Sequence, residues 1–464
     1  MTRLTNPVRG TRCANRATTR VAPTAGTGEP HPMSTPSLAL NNLRTFAVII
    51  VLAGHSFIAY LGSSPASPFR FDEEPFRWRS IPIIDTDRWF GFDIFCAHQD
   101  TYLIALLFFL SGLFIWPSLA RKGVRTFLFD RVVRIGLPFA LTVGLLMPIA
   151  HYPIYRVTAV DPGLTAYWQH WLALPFWPSG PPWFLWVLIV FDLGAAALYR
   201  FAHRSGDALG LLVGKLSARP AAFVMVLVAT SALAYVPLAL VFTPWAWFHV
   251  GPFAFQLSRP LLYAVYFLAG LGVGAYGIER GLLAPTGWLA RHWLGAGGAA
   301  TAAFALWLGF AGLAMSSDGP SLPVRLLEAA SLVLCCAAGC MFMLAVFVRF
   351  ANRRIRVFDA LNDNAYGIYL VHYLFAVWLQ FVLLGLAVIA VIKGAIVFSG
   401  TLLLSWALIA AIRQALHAIG IIGSARRPAP APSLPSPASG GGYINSLSRA
   451  LRVRRGPQTN RGAL

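Results

Sequence analysis

The sequence predicts an all-α fold, a polytopic membrane bundle of about ten transmembrane helices, and three observations carry that prediction. Apolar side chains make up 57% of the 464 residues and charged ones 12%, where a soluble globule carries about a quarter of its residues as charges. Mean hydropathy is +0.64. The apolar residues also gather in runs of about 20, the length that crosses a hydrocarbon core of roughly 30 Å. The net charge of +20 sits largely on arginines in the tails and alternate loops. It therefore reports membrane orientation and implies no nucleic-acid partner. The five cysteines, Cys13, Cys96, Cys335, Cys336 and Cys340, are few, odd in number and without metal-ligand spacing. They predict neither a disulfide framework nor a metal site.

Residues 1–40 are rich in Arg, Thr, Ala and Pro and hold no apolar segment of signal-peptide type, so they read as a disordered basic tail. Met33 opens a more compact stretch and is a candidate natural start. The first span, Asn41 to Leu61, reads NNLRTFAVIIVLAGHSFIAYL. Gly62 to Thr101 is then a long polar insertion with Asp72, Trp78, Asp85, Asp87 and Trp89, expected outside the membrane. Further spans are expected at Tyr102 to Leu119, Ile135 to Tyr152, Trp183 to Phe201, Ala221 to Phe242 and Leu261 to Ile278. The last four fall at Leu289 to Met315, Leu326 to Val348, Ala365 to Leu384 and Ile389 to Ile412. These place the membrane domain at 41–413, followed by a Pro/Gly-rich basic tail over 414–464 that cannot bury a core.

Lys and Arg in short loops set orientation. One side collects Arg121, Lys122, Arg131 and Arg134, then Arg200 and Lys215, then Arg280 and Arg291, then Arg349 and Arg353. Both basic termini share that side. The expectation is a multi-pass inner (plasma) membrane protein with both ends cytoplasmic and the 62–101 insertion outside.

Ionisable groups inside a span are costly and mark function more often than chance. Arg44 and His55 are eleven residues apart, close to three helical turns at about 100° per residue, so one face carries both, about 16 Å apart. That is a cation at one mouth and an imidazole near mid-membrane. A snorkelling arginine and a hydrogen-bonded packing histidine are the plainer reading. His372, in LNDNAYGIYLVHYLFAVWLQ, is a second imidazole at membrane depth, with Tyr366, Tyr369 and Tyr373 at three- and four-residue spacing. Ser111-Gly112 interrupts the second span, and Arg131 and Arg134 precede the third. With Arg44 they would gather three guanidiniums at one opening, which suits a pyrophosphate.

An arginine, ten residues and a histidine in the first span, then FFLSG, RVVRIGLP, PPWFLWVL and NAYGIYLVH in that order, resemble the acyltransferase type 3 family of membrane proteins over residues 41–412. The long insertion after the first span is most similar to the branch that modifies glucans. The resemblance implies an O-acyltransferase that takes an acyl group, of acetyl or succinyl class, from cytoplasmic acyl-CoA to a hydroxyl of an extracytoplasmic glycan. No bound cofactor is implied; acyl-CoA, the glycan and membrane lipid are the partners. Arg44 and His55 match the family's activity motif, and Arg131 and Arg134 its basic motif. His55 is then the expected base, or a transient carrier of the acyl group, and His372 is expected to hold the second proton or orient the acceptor. Ser111, Tyr366 and Tyr369 are candidate donors to an oxyanion, and Trp168, Trp171, Trp177 and Trp183 either offer aromatic faces to a sugar or anchor the loop at the membrane interface. Asn41-Asn42 departs from the pattern, since many members carry an aspartate before the arginine. The rival class is a transporter or flippase, whose paired repeats with broken helices are not found in this sequence. A scaffold would leave two buried histidines without purpose.

Overall fold

The computed structural model describes residues 35–243, 246–317 and 319–419. Helix α1 (Thr35–Phe57) ends in one 3-10 turn at Ile58–Tyr60. The next helices are α2 (Phe90–Gly112) and α3 (Ile115–Lys122). A long rod follows as α4 (Val124–Arg131), α5 (Leu137–Leu141) and α6 (Met147–Thr158), joined by wide π turns at Val132–Gly136 and Thr142–Leu146. After it come α7 (Leu164–Ala173), α8 (Trp183–Phe201), α9 (His203–Ser217) and α10 (Pro220–Val241). A hairpin of β1 (Trp247–Val250) and β2 (Phe253–Gln256) leads to α11 (Pro260–Tyr276), the short α12 (Trp288–Arg291), α13 (Trp293–Met315) and α14 (Leu322–Phe350). The last are α15 (Arg356–Asn362), α16 (Ala365–Leu383) and α17 (Ala390–Ala418). Among the described residues nine helices are long and apolar enough to cross a membrane, or ten if the pair around an 86° bend between Pro260–Tyr276 and Gly281–Arg291 is one span. The chain is thus an all-α, multi-pass membrane bundle. Of the expected tails, 1–40 and 414–464, residues 1–34 and 420–464 lie outside the described residues, whereas 35–40 belong to α1 and 414–418 to α17.

With no hydrophobic drive between helices in lipid, close packing depends on small residues that let backbones touch. Helices α2 and α11 meet this way. A Cβ on Gly112 would stand 2.2 Å from the Phe267 carbonyl oxygen, and one on Gly270 would stand 2.1 Å from that of Phe109. Around this contact lies the larger core, with Phe108, Phe109, Tyr266 and Leu344 almost fully buried. A second core, around Trp78, Met147, Trp171 and Tyr373, joins the insertion to α6, α7 and α16.

The insertion is shorter than expected, because α2 begins at Phe90 and not at Tyr102. The polar residues that made 90–101 look like a loop have tertiary partners. Asp93 accepts the backbone N–H of Gly62 at 2.6 Å and of Ser63 at 3.0 Å, and Asp100 pairs with Arg259 at 2.6 Å. What remains, 62–89, is fastened down. Trp78 stacks on Phe71 with ring centroids 4.8 Å apart and donates its indole N–H to the Phe71 carbonyl. Lys393 of α17, fully buried, pairs with Asp85 at 2.9 Å and Asp87 at 2.8 Å. Two further elements were not expected. Residues 203–217 form α9, packed on α11 through Gly210 against Ala275. The hairpin pairs Trp247 with Gln256 through to Val250 with Phe253 around Gly251, whose φ of 53° suits a residue without a Cβ.

Candidate active site

The site forms where the last turns of α1 meet α16. His55 Nδ1 lies 2.9 Å from the carbonyl oxygen of Val51, one turn back, and 3.3 Å from His372 Nε2. His372 Nδ1 in turn lies 2.6 Å from the Tyr369 carbonyl. A carbonyl only accepts, so both Nδ1 atoms carry hydrogen. His372 Nε2 is then a lone pair turned to the His55 Nδ1–H, and His55 Nε2 is left as a free acceptor. The rings sit 5.1 Å apart. Gln380, two turns after His372 on α16, donates its amide N–H to the carbonyls of His55 at 2.7 Å and Ser56 at 3.2 Å. It fixes the backbone that carries the imidazole.

Arg44 lies nearer the start of α1. Its guanidinium donates to the Leu110 carbonyl at 2.9 Å and lies 4.3 Å over the Phe114 ring. Arg131 stands close enough for direct charge interaction with it, 4.7 Å over Phe127, with Nε 3.1 Å from Asp192. Asp192, on α8, is 1% exposed. Asp192 pairs with Arg131 alone, and Arg44 has no anionic partner among the described residues.

The structure therefore brings His55 to His372 and Arg44 to Arg131. The other expected residues are placed differently. Arg134 is exposed, forms no ion pair among the described residues, and its carbonyl accepts the Tyr366 hydroxyl at 2.9 Å. Ser111 donates to the Leu107 carbonyl at 2.8 Å and Tyr369 to that of Pro181 at 2.6 Å. Asn42 does not orient Arg44. Its amide nitrogen donates to the carbonyls of Ala351 and Arg353, and its oxygen accepts from Asn362, tying α1 to the segment before α16. Of the tryptophans, Trp171 is 2% exposed and packs in the second core, whereas Trp168 is 42% exposed.

Three residues that the sequence reading passed over belong to this region: Asp192, Gln380 and His151. The rule that singles out His55, a polar group deep in an apolar run, applies equally to Asp192 in WFLWVLIVFDLG and to Gln380. His151, 1% exposed on α6, has Nδ1 at 2.8 Å from the Met147 carbonyl and its ring 5.7 Å from that of Tyr373. Tyr373 also lies 5.7 Å from His55. Among the described residues no three His, Cys, Asp or Glu side chains converge as a metal site.

Chemically, the arrangement offers a positioned imidazole base and, toward the start of the same helix, a cationic seat for an anion. A family model described as an acyltransferase domain matches residues 37–410, from α1 into α17. No curated protein and no solved structure matches the chain.

Proposed function

We propose, from the premise that this chain belongs to the acyltransferase type 3 family whose domain model spans residues 37–410, that it is an O-acyltransferase carrying an acetyl- or succinyl-class group from acyl-CoA to a hydroxyl of a glycan across the membrane. The observation that carries this reading is the His55–His372 contact of 3.3 Å with both tautomers set by backbone carbonyls. It leaves His55 Nε2 free to take a proton. The acceptor hydroxyl gives that proton to Nε2 as its oxygen attacks the thioester carbon. The charge that grows on the ring is shared through Nδ1–H to His372 Nε2, so His372 orients and supports the base. Collapse of the tetrahedral intermediate breaks the C–S bond, and the proton passes from His55 to the departing thiolate. An ester and free CoA result.

The intermediate's oxyanion needs a donor. Of Ser111, Tyr366 and Tyr369, the last lies nearest the dyad, its ring 5.8 Å from His372. It serves by turning its hydroxyl from the Pro181 carbonyl. Arg44 and Arg131 hold donor phosphates, to which guanidiniums bind as forks, with Arg134 at the rim. Asp192 anchors Arg131 by Nε and leaves its terminal N–H groups for the ligand.

The distribution of Arg and Lys in the loops supports placing the Arg44 end and both termini in the cytoplasm, in a bacterial inner membrane. Ten spans, counting the bent pair as one, are consistent with that. The 62–89 cap then lies on the acceptor side. The test compares envelope glycans from a deletion strain and its parent by mass spectrometry, with purified protein and radiolabelled acetyl-CoA or succinyl-CoA as the direct assay. Loss of one acyl substituent in the deletion, restored by the parental protein, is expected. Unchanged glycans together with solute flux that consumes no acyl-CoA would return the chain to the transporter class.

A further inference from the structure

We infer that His151, Trp171 and Tyr373 form a binding subsite for a neutral, hydroxyl-bearing sugar ring next to His55, His151 Nε2 accepting one of its hydroxyls. The inference deepens the proposed function, on which it rests, by naming the acceptor's chemical class and the residues that seat it.

Unpaired polar atoms carry the argument. His151 donates from Nδ1 to the Met147 carbonyl, so its Nε2 is an acceptor, and no hydrogen bond engages it among the described residues. The indole N–H of Trp171, on a side chain 2% exposed, is buried without a partner. The Tyr373 hydroxyl also bonds to no described residue. One acceptor, one donor and one group that does both lie together, with His151 5.6 Å from Trp171 and 5.7 Å from Tyr373. Burying the Trp171 N–H unsatisfied is costly. A ligand that supplies hydroxyls removes the cost.

The surroundings narrow the ligand further. Trp78 stands edge-on to His151 at 5.4 Å, and among the described residues the ring contacts and hydrogen bonds of His151, Trp171 and Tyr373 are to aromatic and imidazole rings and a backbone carbonyl, none to a charged side chain. Aromatic planes with neutral donors and acceptors suit the apolar faces and polar edges of an uncharged sugar; an anionic sugar would meet no counter-charge. Tyr373 lies within one ring contact, 5.7 Å, of both His55 and His151. A single sugar ring bridging them would place one hydroxyl at the base while the opposite edge is held.

The experiment titrates the full-length protein in nanodiscs with cellotetraose, a neutral probe, and with tetragalacturonate, its anionic counterpart. Binding and acyl transfer are read separately. Cellotetraose should bind the parent more tightly than tetragalacturonate. His151→Phe, which keeps a ring between Trp78 and Trp171 but no nitrogen, should weaken that binding and raise the acceptor KM by about tenfold, the loss of one hydrogen bond. His151→Gln, which restores an acceptor, should stay within about threefold of the parent. Tyr373→Phe, removing only the hydroxyl, should weaken binding in the same direction. Preference for tetragalacturonate, no binding of either probe to the parent, or equal losses in the Phe and Gln variants would overturn the subsite. Binding that follows this pattern without any acyl transfer would instead count against the proposed function.

Discussion

His55 Nδ1 and His372 Nε2 stand 3.3 Å apart, although 317 residues separate them in the chain. The contact joins the first spanning helix to α16, and the backbone carbonyls of Val51 and Tyr369 decide which nitrogen of each ring is protonated. An imidazole ordinarily titrates near neutrality, so in the proposed mechanism the pair with fixed tautomers divides the work, one ring taking the proton and the other orienting it.

That asymmetry predicts unequal losses. His55→Gln keeps size and hydrogen bonding but has no basic nitrogen, and should lower kcat by about 10³-fold, within the range for losing a general base. His372→Gln retains an acceptor toward His55 and should lower kcat by roughly tenfold, with the KM for acyl-CoA little changed. Steady-state kinetics on purified variants decides it. A His55→Gln protein at near-parental rate would remove the base from the mechanism.

Asp192 yields a second prediction. Asp192→Asn keeps the shape but leaves Arg131 without its anchor and without a neutralising charge. The guanidinium should lose its fixed direction, and acyl-CoA binding should weaken by about tenfold, as when one charge-assisted hydrogen bond is mispositioned. Arg131→Lys should do the same, since an ammonium has no fork, while both variants insert normally because topology counts Lys and Arg alike. Calorimetric titration with CoA measures the effect. Parental affinity in both variants would show that these residues serve only insertion and packing.

The helical bundle was legible because a spanning helix must satisfy its backbone internally and present apolar side chains, a condition that leaves long apolar runs in the sequence. Arg44, His55 and His372 were legible for the converse reason, as ionisable groups inside those runs. What escaped depended on tertiary partners. The start of α2 was misplaced because Asp93 and Asp100 look solvent-bound until Gly62, Ser63 and Arg259 are seen against them. His151, one residue from the end of the expected third span, gains its meaning from Trp78 and Trp171, which arrive from the insertion and from α7. The hairpin's strands are four residues each, too short for alternation to stand out.

Lys393 gives a third prediction, for the 62–89 insertion. It is fully buried and sits between Asp85, also fully buried, and Asp87, which is 39% exposed. Lys393→Met would leave Asp85 buried without its counter-charge, a change that costs several kcal/mol when both partners are fully buried. With Asp87 partly in water, a loss of roughly 2–4 kcal/mol is expected, together with faster proteolytic cleavage within 62–89. The double variant Lys393→Met/Asp85→Leu should recover much of that loss. Parental thermal stability in the single variant would show that the buried ion pair does not hold the insertion.

The final prediction is a pH dependence set outside the spans. Arg79 donates a hydrogen bond to His249 Nε2, which joins the insertion to β1, and Phe176 packs against both side chains. Burial first, and the Arg79 charge second, push His249 down from its ordinary 6.5 to about 4. The folded protein therefore holds this ring neutral over a range in which the unfolded chain protonates it. Above about 6.5 both states are neutral, and the full contribution of the contact is present. As pH falls from 6.5 toward 4 the unfolded chain binds the extra proton, so stability declines through that window and levels off below it. The ring is partly solvated, which makes the decline shallow. His249→Gln keeps an acceptor for Arg79 but cannot titrate, and should flatten the thermal-unfolding profile between pH 4 and 6.5. A profile in the variant that falls as steeply as the parent's would assign the acid sensitivity to other groups.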